Sequence, residues 1–382
     1  MPFFAKRTNF WQQESNALDK ALQALSSPQG VLDLTQSNPT QAGFDYPAHW
    51  LDALSGTSSL SYDPQSLGLI SAREAVSHYY QQRGFNVDPT RIMLTSSSSE
   101  SYAHLLRLLV NPHEKVLIPT PSYPLFPYLL DIQDAAYVTY QLSVDHDWAI
   151  DRQHLLSQLD GSVKIIMVVS PNNPTGSFIS DSDKAWLVDV ANQHGIALVA
   201  DEVFMDYGFN NQRSSFLNVG KGLAFIIGGL SKTACLPQMK LGWLIPVGDD
   251  DLVKGALARL EIMADTYLSV NTPVQLAACI WLKDVDIIQA QVMARLKENL
   301  AYAFSRVTNK IQLLRPQAGW YMMMRLPSGM DDEAFALQAL RNRVMVYPGY
   351  YFDLPGDNYV VVSLLTEPKI FQQGWDKICQ MI

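Results

Sequence analysis

Lys232 is the residue whose neighbours best equip it to act as a nucleophile. It sits in GGLSKTACLPQMKLGW (228–243), directly after AFIIGG (224–229). That apolar, β-branched run predicts a buried strand of a parallel sheet. A lysine just past such a strand lies at the carboxyl edge of the sheet, where open α/β folds take their ligands. Partly desolvated there, its amine has a lowered pKa and can attack a carbonyl carbon to form a Schiff base. Taken alone, a Ser-Lys pair is more often a solvated surface charge. The weight comes from polar stretches upstream.

Three such stretches each follow a predicted strand. TSSSSESYAHLL (95–106) closes RIMLT and opens a helix. The first N–H groups of a helix are unpaired, and with the helix dipole and the hydroxyls of Ser97, Ser98 and Ser99 they suit an anion. A plain N-cap with Glu100 in the first turn accounts for the same residues. SPNNPTG (170–176) follows KIIMVV (164–169); it reads as a turn, or as a turn that points the amide of Asn173 into a cleft. ADEVFMDYGF (200–209) follows GIALVA (195–200). Asp201 and Glu202 are either a solvent-facing acidic pair or include a buried carboxylate that holds a heterocycle nitrogen protonated through a charge-assisted hydrogen bond.

The elements that must position these residues alternate in type. Over 47–279, KVLIP (115–119), KIIMVV, GIALVA and AFIIGG predict short apolar strands, separated by helices such as ESYAHLLRLLV, DSDKAWLVDVANQH and DLVKGALARLEIMA. That alternation predicts an α/β domain with a mostly parallel sheet flanked by helices. From 280 the texture changes: a long helix (QAQVMARLKENLAYAFSRV), then IQLL, GWYMMMRL, a helix DDEAFALQALRN, RVMVYPG and NYVVVSLL. Residues 280–382 therefore predict a smaller α+β domain. It is joined by 1–46, which predict one helix from roughly Glu14 to Leu25 and a short extended piece, VLDLTQSNPT. Two unequal lobes also fit the length of 382 residues, since single cores stop growing beyond ~250–300 residues.

Composition excludes several classes. A net charge of −9 argues against a nucleic-acid or anionic-membrane partner. Cys235, Cys279 and Cys379 are the three cysteines, without CxxC spacing, which argues against structural zinc or a disulfide scaffold. The first residues lack the apolar run of a secretory signal. No segment has the ~18 uninterrupted apolar residues of a membrane span. A cytoplasmic protein with no metal site is the expectation.

In their order and spacing these blocks resemble the class I/II aminotransferases of the fold-type-I pyridoxal-phosphate group. SPNNPTG, VADEV and LSKTACLPQMKLGW look like that family's SxxNPTG, xxDEx and SKxxxxxGxRxG blocks, and SNPT (37–40), YDPQSLGLISAREAV (62–76), PSYPLF (121–126) and YPG (347–349) extend the likeness over nearly the whole chain. The resemblance implies pyridoxal 5′-phosphate as cofactor, held by Lys232 through a Schiff base, with Lys232 then shuttling protons as general base and acid. It implies that Asp201 pairs with the pyridinium nitrogen, that Asn173 bonds the ring's 3′ oxygen and that Tyr123 stacks on the ring. Ser97, Ser98 and Ser99 would hold the phosphate, with Lys240 as a nearby cation and Tyr62 lent by a neighbouring subunit. A homodimer with shared active sites follows, acting on a small-molecule amino donor and a keto acid.

The sequence also departs from the family's pattern. The serine run lacks a glycine common there. Lys240 replaces the usual arginine, a point charge for a bidentate fork. Phe204 stands where many members have a tyrosine that donates to the 3′ oxygen, and Gly229 replaces a serine or threonine. The largest departure lies in DNYVVVSLL. Val361 aligns with the arginine that clamps the substrate α-carboxylate, and no arginine or lysine occurs from 349 to 367. Either another cation serves (Arg7, Arg315 and Arg325 are candidates), or the substrate is atypical. Other outcomes on the same cofactor (β-elimination, decarboxylation, oxidation) and a non-catalytic binding protein of this fold remain open at this level.

Overall fold

The computed structural model describes residues 3–8, 11, 15–25, 30–307, 310–356 and 358–382. Its centre is an eight-stranded sheet whose spatial order is 93–95, 242–248, 223–229, 197–201, 163–169, 115–120, 136–143 and 149–150. Neighbours from Leu223–Gly229 across to Ala136–Ser143 run parallel. Gly242–Gly248 runs antiparallel to both of its neighbours, and Ala149–Ile150 pairs antiparallel at the other edge. The sheet is thus mostly parallel, as expected.

Both faces are covered, which is why its strands read as continuous apolar runs rather than alternating ones. Successive side chains of a strand point to opposite faces. Ile165, Met167 and Val169 accordingly enter one apolar cluster with Leu105, Leu260 and Phe225. Ile166 and Val168 enter another with Leu198, Ile226 and Leu187. The helices are locally specified too. Asp181–His194 begins at Ser180, whose Oγ accepts from the N–H of Asp183 at 3.0 Å, and ends at Gly195, φ 64°, a left-handed position where glycine is least strained.

A second, antiparallel sheet of four strands has the order 312–314, 321–325, 359–363, 347–348. Leu32–Asp33 pairs in parallel with Val344–Met345, so the N-terminal segment packs beside the small sheet. The first regular α-helix is Ala17–Gln23, and Glu14, where the sequence suggests it starts, lies outside the described residues. No helix of the described residues is long and apolar enough to cross a membrane.

The two sheets are stitched together beside the SPNNPTG turn. The N–H of Ala318 donates to Gly176 O at 2.9 Å, Phe209 N–H to Gln317 O at 2.9 Å, and Gly319 N–H to Tyr207 O at 3.0 Å. Gly176 has φ +69°, and a Cβ there would lie 2.3 Å from Ala318 O and 2.7 Å from Pro316 Cβ. Gly176→Ala should therefore lower stability by on the order of 2–3 kcal/mol, read as a lower denaturation midpoint; an unchanged midpoint would show that the seam yields freely.

Candidate active site

Four strands of the large sheet end at one edge, and the polar stretches follow them. Lys232 lies in the single helical turn Leu230–Thr233, directly after the strand Leu223–Gly229. Its Nζ is 4.6 Å from the ring centre of Trp320 and 5.4 Å from that of Phe204. Burial pushes the amine's pKa below its ordinary value, while Cys235 and the carboxylate of Asp201 pull it back up. A cation over an indole face is attracted by the ring quadrupole, so the amine of this partly exposed residue rests against aromatic rings.

Asp201 ends the strand Ala197–Asp201 and is 8% exposed. Its Oδ2 accepts from Tyr102 O–H at 2.6 Å and its Oδ1 from the N–H of Val203 at 3.0 Å. Burial pushes its pKa up; the two hydrogen bonds and the attraction of Lys232 hold it down. Asp201 is the buried carboxylate of the two alternatives, not half of a solvent-facing pair. Glu202 points elsewhere: Oε1 accepts from Phe216 N–H at 2.7 Å and Oε2 is buried without a partner.

Tyr123 is partly buried, edge-on to Phe126 with ring centres 5.9 Å apart, and its hydroxyl feels the charge of Asp201. Asn173 is 8% exposed and its Oδ1 is buried without a partner. Ser97 caps the helix Ser98–Leu109, its Oγ accepting from Glu100 N–H at 3.2 Å. Glu100 turns back, its Oε2 accepting from Ser96 N–H at 2.5 Å and from Ser269 Oγ–H at 2.7 Å. The capping reading is thus present, and Ser98 and Ser99 still open a helix N-terminus. Gly242 packs on that turn; a Cβ there would lie 2.9 Å from the Ser97 carbonyl carbon and 3.1 Å from Ser98 N. Gly229 has as little room, since a Cβ would meet Gly242 Cα at 3.1 Å and Leu241 O at 3.2 Å. A serine or threonine at that position would press on the backbone of Leu241 and Gly242, which would have to give by a few tenths of an ångström.

Two residues stand apart. Lys240 is exposed, in left-handed backbone conformation at φ 55°, shortly before Gly242. Tyr62 is 79% exposed and lines a separate hollow with Gly68, Met93 and Leu94. None of the candidate cations is engaged at Lys232. Arg7 pairs with Asp134, Arg315 lies over the Phe304 ring at 4.0 Å, and Arg325 lies 5.7 Å from the ring centre of Tyr359.

Val361 is fully buried on the strand Tyr359–Ser363, opposite Met323 on one side and Tyr347 on the other. Residues directly opposite in an antiparallel pair share a face, so Tyr321, Met323, Tyr347, Val361 and Ser363 form one surface. Ser37 lies beside the phenols of both Tyr321 and Tyr347 and favours their charged forms, and Ser363 Oγ donates to Gln36 O at 2.5 Å. Tyr321 in turn feels Tyr123. The small sheet thus presents phenols and apolar side chains toward Tyr123. The charges acting on these tyrosines are those of Asp33 and Asp201, both acids. Trp320, Tyr102, Tyr321 and Ser37 are the neighbours of the site that were not anticipated. Of these, only the aromatic pair after the glycine in GWYMMM hinted at itself.

The residues present suit the expected cofactor. Orphaned buried polar atoms at Asn173 Oδ1 and Trp320 Nε1 are costly unless a ligand satisfies them. The glycine-backed helix N-terminus is an anion cradle, and a partly desolvated amine stands beside a buried acid.

The comparisons agree. The family model for aminotransferase class I and II matches residues 29–370. The chain belongs to the class I and II aminotransferases. It is 27% identical over 348 residues to the glutamate-pyruvate aminotransferase AlaA of Escherichia coli, covering 87% of this chain and 86% of that protein. It is also 27% identical to the alanine aminotransferase of Mycobacterium bovis over 352 residues, covering 88% and 82%. Among solved structures, an alanine aminotransferase from Pyrococcus furiosus superposes with a TM-score of 0.89 at 22% identity, over 99% of both chains. An Escherichia coli aminotransferase superposes with a TM-score of 0.86 at 24% identity, over 99% and 97%. This aminotransferase therefore has the fold-type-I architecture, and pyridoxal 5′-phosphate is the cofactor of its family.

Glu202 gives the site a measurable pH signature. Burial first, then the neighbouring Asp201, push its carboxyl up to about 7 against hydrogen bonds from Ser215 and Phe216. A carboxyl raised in the folded state binds its proton more tightly there than in the unfolded chain. Its contribution is therefore fully present below the unfolded pKa and lost as pH rises toward 7. Between pH 4.5 and 8 the wild type should lose on the order of 3 kcal/mol relative to Glu202→Gln. Parallel pH–stability curves for the two proteins would refute this.

Proposed function

We propose that this aminotransferase moves an amino group between a small-molecule amino donor and a keto acid at Lys232, and that one of its substrates carries no α-carboxylate where the family's arginine would clamp it. The observation that carries the second half is the face made by Val361, Met323, Tyr321 and Tyr347, which offers phenols and apolar side chains but no cation. An apolar residue in a sealed strand cannot form the two parallel charge-assisted hydrogen bonds that hold a carboxylate. The named relatives act on glutamate, pyruvate or alanine; this face argues for a different substrate here.

Bound at the site, pyridoxal 5′-phosphate supplies an aldehyde for the amine and an electron-withdrawing ring. In this reading the chain does the rest. Lys232 takes and returns the proton at the substrate carbon, and its depressed pKa suits a base working near neutral pH. Asp201, fixed by Tyr102 and the Val203 N–H, keeps a proton on the ring nitrogen. Tyr123 covers one ring face and Asn173 bonds the ring oxygen. Phe204 supplies no hydroxyl there, so Asn173 carries that contact without a phenol beside it. Ser97, Ser98 and Ser99 receive the phosphate at the helix N-terminus, with Lys240 adding positive charge. Tyr62, lent by one protomer to its partner, completes the set. Its 79% exposure, beside Leu60 at 90% and Ile262 at 70%, supports a homodimer with shared sites. The same reading divides the chain into a cofactor-binding lobe at 47–279 and a smaller lobe from 1–46 and 280–382, in a cytoplasmic protein.

Two measurements test it. Protein loaded with cofactor should be yellow, and borohydride should fix the cofactor's mass onto the peptide bearing Lys232, with both signals lost in Lys232→Ala; a colourless loaded protein would sink the assignment of Lys232. In a donor panel, amines without a carboxylate should surpass their α-amino-acid counterparts. Loss of a bidentate charged pair is worth roughly 10–100-fold in kcat/KM. α-Amino acids turned over as fast as or faster than the matching amines would overturn the proposed substrate class.

A further inference from the structure

The turn that carries Lys232 has few backbone bonds of its own, among them Ala234 N–H to Leu230 O at 3.1 Å and Cys235 N–H to Lys232 O at 3.2 Å. Leu230–Thr233 is one helical turn, and the last carbonyls of a helix have no partners within it. Three side chains from three distant parts of the chain meet the carbonyls here. Tyr207 O–H donates to Lys232 O at 2.6 Å, Gln289 Nε2–H to Thr233 O at 2.8 Å, and Tyr46 O–H to Cys235 O at 2.8 Å.

Gln289 is the one of the three that is itself held by charge. It is 6% exposed, on the helix Asp286–Ser305. Its Oε1 accepts from the Arg83 guanidinium at 3.0 Å, and its Nε2 also donates to Asp206 Oδ2 at 2.8 Å. A guanidinium can only donate and a carboxylate can only accept, so the amide has one orientation, with its N–H groups toward Asp206 and Thr233. Arg83 and Asp206 pair at 2.5 Å with side chains 2% exposed each, Tyr79 O–H donates to Asp206 at 2.6 Å, and the guanidinium lies 3.9 Å from the Tyr79 ring centre. A buried pair with this many hydrogen bonds is rigid.

We propose that Gln289, oriented by the buried Arg83–Asp206 pair, is a positioning residue for Lys232: together with Tyr207 it fixes the backbone turn that aims the amine at Asp201 and away from water. This rests on the reading of Lys232 as the lysine that holds the cofactor. The groups facing that amine are Asp201 from its strand, Cys235 from its own turn, and the rings of Phe204 and Trp320. None of them touches Gln289. Removing the Gln289 amide leaves these neighbours in place and frees Thr233 O, so the turn loosens and water reaches the amine.

The test uses the full chain loaded with pyridoxal 5′-phosphate, comparing wild type with Gln289→Met, which keeps the side chain's length and leaves Arg83–Asp206 intact. The visible absorption reports the proton on the nitrogen that would join Lys232 to the cofactor; burial disfavours the charged form of that nitrogen, so water admitted by the variant should raise the midpoint, by about one unit. Hydrogen exchange of the amides in 230–239 should quicken about tenfold or more, the range that a lost local restraint allows. If Gln289→Met does not fold, Tyr207→Phe removes the shortest of the hydrogen bonds to Lys232 O and should move both readouts the same way. A variant that folds with an unmoved midpoint and unmoved exchange overturns the positioning role. Wild type whose visible band survives Lys232→Ala instead overturns the functional reading itself, so the two failures are distinguishable.

Discussion

An amine and a carboxylate share a water-poor edge of the large sheet, and each is kept from its ordinary titration by burial. Desolvation drives the two pKa values toward each other, while mutual attraction opposes it. Neither group is fully satisfied by the other. Asp201 receives Tyr102 and a backbone N–H, whereas the Lys232 amine has only rings and a distant charge. In the proposed reading that imbalance leaves the lysine available for chemistry, and the surrounding structure maintains it. The helix Ser98–Leu109 carries both the anion-receptive serine turn and Tyr102, five residues apart. At 1.5 Å per residue that is roughly 7–8 Å, a fixed spacing between the end that suits a phosphate and the acid that suits a ring nitrogen. Gly229 lets the lysine strand and its antiparallel neighbour approach each other closely, and Gly242 lets that neighbour approach the start of this helix.

The second lobe reaches the same point by a different route. Its 316–319 segment bonds to the SPNNPTG turn and to Tyr207, and the next residue, Trp320, is the one whose ring faces Lys232. Ser122 N–H donates to Phe352 O, which brings the loop bearing Tyr123 against the cluster of Phe352, Tyr321 and Tyr347. The cleft is therefore walled by the strand ends of one sheet and by one face of the other, joined through backbone bonds.

What could be read in advance was what is local. A lysine, an aspartate, an asparagine turn and a serine run each follow an apolar strand within a few residues, and strand ends of a parallel sheet converge on one edge as a matter of topology. Helices with strong caps, such as Asp181–His194, were legible for the same reason. Contacts between distant segments were not. Tyr102 looks like one more residue on an apolar helix face, and nothing near it announces Asp201, 99 positions on. Gln289 falls within a long amphipathic helix, where a glutamine predicts only a polar face. Gly242–Gly248 passed as the tail of a motif, because an antiparallel strand inside a parallel sheet is as apolar as its neighbours. The acidic pair could not be apportioned either, since adjacent strand residues point to opposite faces and only the packing tells which faces the site.

The division of labour between the sheets bears on how substrate choice can change. In the proposed reading every group that holds the cofactor within this chain stands on a loop of the large sheet or on the helix it opens. The groups that would meet the far end of a substrate stand on the small sheet, on the face of Tyr321, Tyr347 and Val361. Replacing a cation on that face removes a buried charge that needed a partner, and valine packs between Met323 and Tyr347 at no such cost. The phenols, with Ser37 beside them, remain as neutral hydrogen-bonding groups. Lys232 and Asp201 themselves stand at the edge of the other sheet, and of the second lobe it is Trp320, not Val361, whose ring faces the amine. In the proposed reading, a chain can therefore keep its family's chemistry at one sheet edge while the face of the other sheet alters what it accepts.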